Sequence, residues 1–167
     1  MHPAALPAPA LWRECELRRV RRSGPGGQHR NKVETGVVLC HRPTGVRAEA
    51  SERRSQAENR AVALRRLRIR LALDVRRPVE PAGPSELWRS RVRGERLALS
   101  PRHDDFPALL AEALDWLWSL AGDARAAAEA LGCTASQLVR LLGHEPAALA
   151  RVNAWRAQRG LRPLRRT

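Results

Sequence analysis

The chain has 167 residues, of which 43% are hydrophobic, so it is long enough to bury a core of its own. Its formal net charge of +14 and its pI of about 11.6 indicate a polyanionic partner, and nucleic acid is the usual one. No apolar run approaches the roughly 20 residues of a membrane-spanning helix, and residues 1–10 lack the pattern of a signal peptide. We therefore expect a cytoplasmic protein that binds nucleic acid.

The three cysteines, Cys15, Cys40 and Cys133, are odd in number and far apart in the sequence. They form no Cys-x-x-Cys pair, so the sequence indicates neither a zinc site nor a disulfide framework. We expect three reduced thiols, as is usual in the cytoplasm.

The N-terminal segment, residues 1–10, is predicted to be disordered. Apolar and polar residues then alternate over residues 11–18, which is typical of a half-buried strand. A cluster of arginines follows, and we interpret it as a contact for RNA phosphates, although a solvated face is the commoner role of such a cluster. The cluster comprises Arg18, Arg19, Arg21 and Arg22.

Residues 23–32, Ser-Gly-Pro-Gly-Gly-Gln-His-Arg-Asn-Lys, are the most informative stretch of the chain. Three glycines and a proline in four consecutive positions exclude a helix interior or a strand and predict a loop of defined shape. Gly26 and Gly27 can adopt positive φ and bring the backbone close to another molecule, and Gln28 adds amide donors and an acceptor. Lys32 is the only lysine in the chain, either because a compact ammonium group suits a phosphate contact or by chance.

The next elements are predicted to be a strand over residues 34–41, a turn at Pro43-Thr44-Gly45 and an antiparallel strand over residues 46–51. Ser55 and Glu58 have the spacing of a capping box, which predicts the start of a long helix that ends near Asp74. An apolar stripe on this helix is expected to pack on the sheet. The stripe comprises Ala57, Ala61, Leu64, either Leu67 or Arg68, and Leu71.

The second half of the chain begins with a proline-rich linker and a basic segment, residues 77–100. Trp88 in this segment either stacks on RNA or packs on the core. Residues 101–167 contain nine basic and seven acidic residues, and their Ala- and Leu-rich pattern predicts several helices. The predicted N-caps include Asp104, Asp123 and Thr134, and a last helix is expected to start at Glu145-Pro146. Part of this region has the rhythm of a helix-turn-helix, which we interpret as a packing module rather than a DNA reader.

These patterns predict an α+β fold. A small antiparallel or mixed sheet is expected to pack on one long helix, and a Pro-rich linker is expected to lead into a small all-α C-terminal region. The chain should end in a short basic tip, which contains Arg156, Arg159, Arg162, Arg165 and Arg166.

Residues 22–32 closely resemble the signature loop of class I peptide chain release factors and of their stand-alone ribosome-rescue relatives. The resemblance covers roughly residues 14–73. A Gly-Gly-Gln tripeptide alone is a weak signal, but a series of further motifs at the family's spacing makes the resemblance specific. This series comprises Val33-Glu34-Thr35, Pro43-Thr44-Gly45, Arg54-Ser55-Gln56 and Asn59-Arg60.

The resemblance implies a catalytic domain over residues 11–76 that enters the peptidyl transferase centre of the large ribosomal subunit and promotes hydrolysis of peptidyl-tRNA. Gly26, Gly27 and Gln28 would be its catalytic residues. The backbone N–H of Gln28 would donate to the developing oxyanion or to the leaving ribose hydroxyl, and the Gln28 side chain would admit water. His29 is better suited to an RNA contact than to the role of a general base.

The resemblance also implies partners and further site residues. The expected partners are the ribosome, peptidyl-tRNA and rRNA, and no metal or other cofactor is expected because the ribosome supplies the rest of the site. The expected RNA-binding residues are Arg21, Arg22, Ser23, His29, Arg30, Asn31, Lys32, Arg54, Gln56, Asn59 and Arg60.

Two departures from the family bear on function. Full-length release factors carry codon-reading domains before this loop, whereas 25 residues precede Gly26 here, so we expect codon-independent release, as in the rescue of stalled ribosomes. Rescue relatives usually end in a long basic tail, whereas this chain ends in a nearly neutral helical segment. Two other functions stay open: a non-catalytic ribosome- or RNA-binding factor that kept the domain, and a DNA-binding regulator that uses the C-terminal helices.

Overall fold

The computed structural model describes residues 1–20, 35–80 and 82–165. Its helices and strands confirm the predicted α+β class. In chain order they are a 3-10 helix (Pro3–Ala5), α1 (Ala8–Glu14), β1 (Cys15–Val20), β2 (Gly36–His41), β3 (Arg47–Ala50), α2 (Gln56–Asp74), α3 (Glu86–Arg91), β4 (Val92–Arg93), β5 (Arg96–Leu97), α4 (Phe106–Ser119), α5 (Ala124–Ala130), α6 (Ala135–Gly143) and α7 (Pro146–Ala157).

The main sheet has three antiparallel strands in the order β1-β2-β3. The predicted turn between β2 and β3 is confirmed: Gly45 has a φ of +70°, and its N–H donates to the carbonyl of His41 over 2.8 Å. The buried His41 ring reinforces this corner, since its two nitrogens contact the Thr44 hydroxyl at 2.7 Å and the Glu14 carboxylate at 2.8 Å. These contacts join the end of α1 to the turn of the sheet.

The N-terminal segment differs from the predicted disorder of residues 1–10. The Ala4 side chain is fully buried in the core, and the His2 imidazole contacts the carbonyl of Val75 at 3.2 Å. Prolines near the start of the 3-10 helix and of α1 take positions where a missing N–H costs nothing. The predicted strand over residues 11–18 is also wrong at its start, because residues 11–14 belong to α1 and the strand begins at Cys15.

Helix α2 packs on β2 and β3 on one side and on α4 on another. Its buried face follows a four-residue spacing through Asn59, Ala63, Leu67 and Leu71. Leu67 and Leu71 were predicted to be buried, but Ala57 and Ala61 are exposed because packing on two sides shifts the buried face around the helix. Ser55 is the N-cap residue as predicted, yet its side chain accepts no capping hydrogen bond, so the predicted capping box is wrong.

The C-terminal helices continue the core of the sheet and α2 rather than forming a core of their own. Asp123 and Thr134 are the N-caps of α5 and α6 as predicted, whereas α4 starts after Asp105 instead of Asp104. Trp88 is fully buried, and its indole N–H donates to the carbonyl of Leu131 over 2.8 Å. Of the two interpretations of Trp88, packing on the core is therefore confirmed and stacking on RNA is wrong.

In the described part of the chain, no helix combines the length and the apolar character that crossing a membrane requires.

Candidate functional site

The predicted catalytic residues Gly26, Gly27 and Gln28 lie outside the described residues, which stop at residue 20 and resume at residue 35. The same holds for most of the predicted RNA contacts, namely Arg21, Arg22, Ser23, His29, Arg30, Asn31 and Lys32. The described residues show the frame to which both ends of this stretch are attached. That frame consists of the ends of β1 and β2 and the start of α2.

The two ends of the frame are hydrogen-bonded neighbours. Val20, the last residue of β1, pairs directly with Gly36, the first residue of β2. The segment that contains the predicted catalytic residues therefore connects two directly paired residues of the sheet. The antiparallel ladder between β1 and β2 fixes the positions of both. This geometry restricts where both ends of the stretch can lie.

Gly36 is required at this point because the two strands leave no room for a side chain. A Cβ atom at residue 36 would lie 2.7 Å from the carbonyl oxygen of Val20 and 2.8 Å from the Val20 Cγ2 atom. Real Cβ atoms do not approach backbone oxygens so closely, so any larger residue would have to separate the strands. The glycine thus keeps the base of the frame narrow.

Asn59 connects the same point to α2. Its side chain is fully buried, and its Nδ2 atom donates to the carbonyl of Thr35 over 2.8 Å and to the carbonyl of Arg53 over 3.0 Å. Its Oδ1 atom accepts from the N–H of Arg53 over 3.0 Å. Asn59 therefore holds together three parts of the chain: the residue before β2, the loop before α2, and the first turns of α2 itself.

Asn59 was predicted to bind RNA, and its burial makes that prediction wrong. All three hydrogen bonds of the Asn59 side chain go to backbone groups, so the amide has no exposed donor for a phosphate or a base. A signal for this role was present in the sequence, because Asn59 lies four residues before Ala63 and in phase with Leu67 and Leu71. A polar residue on the buried face of a helix must find hydrogen-bonding partners.

The predicted RNA contacts that do reach the surface lie beside Asn59. Arg54 and Arg60 are exposed, and Gln56 is half-buried. Within the described residues, neither arginine side chain has an ion-pair or hydrogen-bond partner. The Asn59 bond to Thr35 places this basic edge of α2 next to the end of the predicted catalytic stretch. The frame therefore offers guanidinium groups free to contact phosphate oxygens.

Other arginines of the domain are used to stabilise the fold. Arg66 donates to the Glu49 carbonyl over 2.8 Å and pairs with the Glu52 carboxylate at 2.6 Å. Arg70 donates to the carbonyl of Arg47 over 2.7 Å. These bonds attach the outer face of α2 to the edge strand β3, so a high arginine content does not by itself map the RNA-binding surface.

The described residues offer little for other chemistry. Burial raises the pKa of the Cys15 thiol and that of the Cys133 thiol to about 11, which makes both poor nucleophiles. Across residues 1–20, 35–80 and 82–165, no three His, Cys, Asp or Glu side chains come together in a way that could hold a metal ion. All three cysteines are free thiols.

The similarity of this chain to known proteins lies in the part that contains the frame and the predicted catalytic stretch. A family model described as the RF-1 domain matches residues 12–93. Peptide chain release factor 1 of Caulobacter vibrioides is 42% identical over 91 residues, which are 51% of this chain and 25% of that protein. Peptide chain release factor 2 of Variovorax paradoxus is 53% identical over 51 residues, or 30% of this chain and 14% of that protein.

A mitochondrial relative shows the same pattern. The rat protein named peptide chain release factor 1-like, mitochondrial, is 47% identical over 51 residues, or 30% of this chain and 14% of that protein. The chain therefore spans about a quarter or less of the length of these relatives.

Proposed function

Residues 12–93 belong to the RF-1 domain family, and on this basis we propose that the chain binds the ribosome and hydrolyses the ester that joins a nascent peptide to tRNA. The proposal includes codon independence, which makes the biological role the rescue of stalled ribosomes. The observation that carries the proposal is the Gly26-Gly27-Gln28 motif inside the matched domain, between two paired strands. The large-subunit peptidyl transferase centre, peptidyl-tRNA and rRNA are the proposed partners.

The proposed chemistry is the attack of water on the ester carbonyl. The bond between the carbonyl carbon and the ribose oxygen breaks, the peptide leaves as a carboxylic acid, and the ribose oxygen takes up a proton. In this proposal the backbone N–H of Gln28 stabilises the developing negative charge, and its side chain positions the water. A preorganised donor of this kind typically contributes ~100- to 1000-fold in rate.

The frame supports this mechanism because a backbone donor acts only when it is held in place. The Val20–Gly36 pair and the bonds of Asn59 fix the attachment points of the motif from two directions. Arg54 and Arg60, on the same edge, are proposed to contact rRNA phosphates and so to position the domain on the ribosome.

Release of labelled peptide from three ribosome complexes tests codon independence. The complexes carry peptidyl-tRNA in the P site and have a stop codon, a sense codon or no messenger in the A site. The proposal predicts release without messenger and no preference for the stop codon over the sense codon. Release only at the stop codon would contradict codon independence and leave the hydrolytic activity intact.

The first alternative is a ribosome- or RNA-binding factor without hydrolytic activity. The same complexes distinguish it, because such a factor would bind them without releasing peptide. A DNA-binding function of the C-terminal helices is less well supported. Helix α6, which would be the reading helix, carries a single basic residue, Arg140.

A further inference from the structure

Two tryptophans lie side by side in the C-terminal region. Trp118, in the last turn of α4, is 44% exposed. Trp155, near the end of α7, packs against it edge to face, with ring centroids 4.9 Å apart and an interplanar angle of 66°. The exposed faces of such a large aromatic ring gain from contact with a partner.

Arginines hold this pair of rings in place. The Arg76 guanidinium lies 5.7 Å from the centroid of Trp155 and is itself fixed by an ion pair to the buried Asp115, with an Nη1–Oδ1 distance of 2.9 Å. The Arg159 guanidinium lies 5.9 Å from the centroid of Trp118, and its Nη1 atom donates to the Trp155 carbonyl over 3.0 Å. The rings therefore form a platform that is ordered before any partner arrives.

The segment around this platform is purely basic. Residues 146–167 contain six arginines and no aspartate or glutamate. The chain after α7 turns back and is held by Asn153, whose side chain donates to the Leu164 carbonyl over 3.0 Å and accepts from the Leu164 N–H over 2.7 Å. Arg156 adds a bond from its Nε atom to the carbonyl of Arg162, over 2.7 Å, and a second bond to the carbonyl of Gly122 in the turn that follows α4.

These contacts place Arg159 over the exposed ring and hold the end segment that carries Arg162 and Arg165 against α7 and the turn after α4. Arg159, Arg162 and Arg165 are exposed, and none of them has an ion-pair partner in the described part of the chain. We call the set formed by Trp118, Trp155 and these three arginines the tryptophan–arginine surface.

We propose that the tryptophan–arginine surface binds a single-stranded segment of RNA, with an unpaired base stacked on Trp118 and neighbouring phosphates on the arginines. Stacking on aromatic rings combined with basic side chains is how proteins bind unpaired nucleotides without reading their sequence. A partner protein would need an acidic patch to match this surface, whereas every single strand of RNA offers both bases and phosphates. The choice of RNA over DNA rests on the proposed function.

Binding of a fluorescently labelled, unstructured 12-nucleotide RNA to the full chain, followed by anisotropy, tests the proposal. Trp118→Ala should weaken binding about 5- to 150-fold, the typical loss when one stacking ring is removed, and Trp118→Phe should retain most of the affinity. Trp116→Ala is the matched control, because Trp116 is a half-buried tryptophan on the same helix and should change the affinity less than twofold. Circular dichroism checks that each variant is folded.

A salt series tests the contribution of the arginines. Arg159→Gln should reduce the slope of log K against log salt by about 0.7, the value for one phosphate contact on a single strand. Arg96→Gln removes an exposed arginine of β5 and should leave the slope unchanged. Equal effects of the two substitutions, together with unchanged binding by Trp118→Ala, would overturn the proposal and show that the RNA adheres to the basic chain as a whole.

Two further features of the experiment distinguish this proposal from binding of a double-stranded nucleic acid and from the proposed release activity. Single-stranded DNA of the same sequence should bind about as well, because stacking and phosphate contacts do not involve the 2′-hydroxyl. Double-stranded RNA of the same length should bind more weakly, and equal binding of the duplex would overturn the assignment to single strands. The measurement needs neither ribosomes nor peptidyl-tRNA, so a chain that releases no peptide can still show binding that depends on Trp118. The failure of one proposal is therefore distinguishable from the failure of the other.

Discussion

Removing the Asn59 side chain should loosen the frame that holds both ends of the predicted catalytic stretch. In Asn59→Ala, three backbone groups lose their partner: the carbonyls of Thr35 and Arg53 and the N–H of Arg53. A buried polar group left without a hydrogen bond costs about 1–3 kcal/mol. Since Arg53 is exposed and Thr35 is half-buried, water can pair with part of the freed backbone groups, and we expect a total loss of about 2–4 kcal/mol in the free energy of unfolding.

Denaturant unfolding measures this loss, and amide hydrogen exchange locates it. Exchange at the Arg53 amide should accelerate in the variant, because the acceptor for that amide is gone. Asn153→Ala is the matched control: it also removes an asparagine that binds backbone groups, but its two bonds go to Leu164, far along the chain from the motif. We expect the control to lose about 1 kcal/mol and to leave exchange at Arg53 unchanged.

The functional consequence should exceed the loss of stability. At a temperature where both variants remain folded, Asn59→Ala should lower the rate of peptide release by about 100-fold, because a small misplacement of a catalytic group has an effect of that order. Asn153→Ala should release peptide at the normal rate. If Asn59→Ala were as stable as the native chain and kept its protection at Arg53, the idea that this side chain holds the frame would be refuted.

Three other predictions concern the rest of the fold. Gly36→Ala should destabilise the chain by about 1–3 kcal/mol, measured by thermal unfolding, since the new methyl group meets the Val20 carbonyl at 2.7 Å. Trp88→Ala should cost about 3–5 kcal/mol by the same measurement, because it empties a fully buried site; a loss below 1 kcal/mol would contradict the described packing. Burial lowers the pKa of His2 to about 4, so the stability that depends on neutral His2 is present above pH 6.5 and is lost as the pH falls towards 4. Unfolding of His2→Asn should depend less on pH across that window, and the comparison isolates His2 from Asp115, whose pKa burial raises to about 6 and whose effect has the opposite sign.

The local parts of the fold were predictable because local patterns determine them. A short apolar run located β2, turn residues located the turn at Gly45, and apolar–polar alternation located β3, since the period of two and a glycine at positive φ leave few other structures. Asp123 and Thr134 predicted the starts of α5 and α6 because their side chains accept hydrogen bonds from the first free amides of those helices.

The predictions that were wrong concern parts of the fold that depend on contacts between residues distant in the sequence. Residues 1–10 have a composition typical of disorder, but Ala4 fits a narrow site and Arg68 donates to its carbonyl over 3.1 Å. The burial of Asn59 depends on Thr35 being within reach, and the pairing of Trp118 with Trp155 depends on how α4 and α7 pack. The four-residue spacing through Asn59 signals a buried position on α2, but its partners are defined only once the chain has folded, so no local pattern predicts them.

The most direct test of the proposed activity is the release of labelled peptide from messenger-free ribosomes that carry peptidyl-tRNA, with the native chain and Gly27→Ala compared at equal ribosome occupancy. The account predicts rapid release by the native chain. It predicts that Gly27→Ala binds the ribosome and releases no peptide. Equal release by both chains would contradict the mechanism, and no release by the native chain would contradict the proposed activity itself.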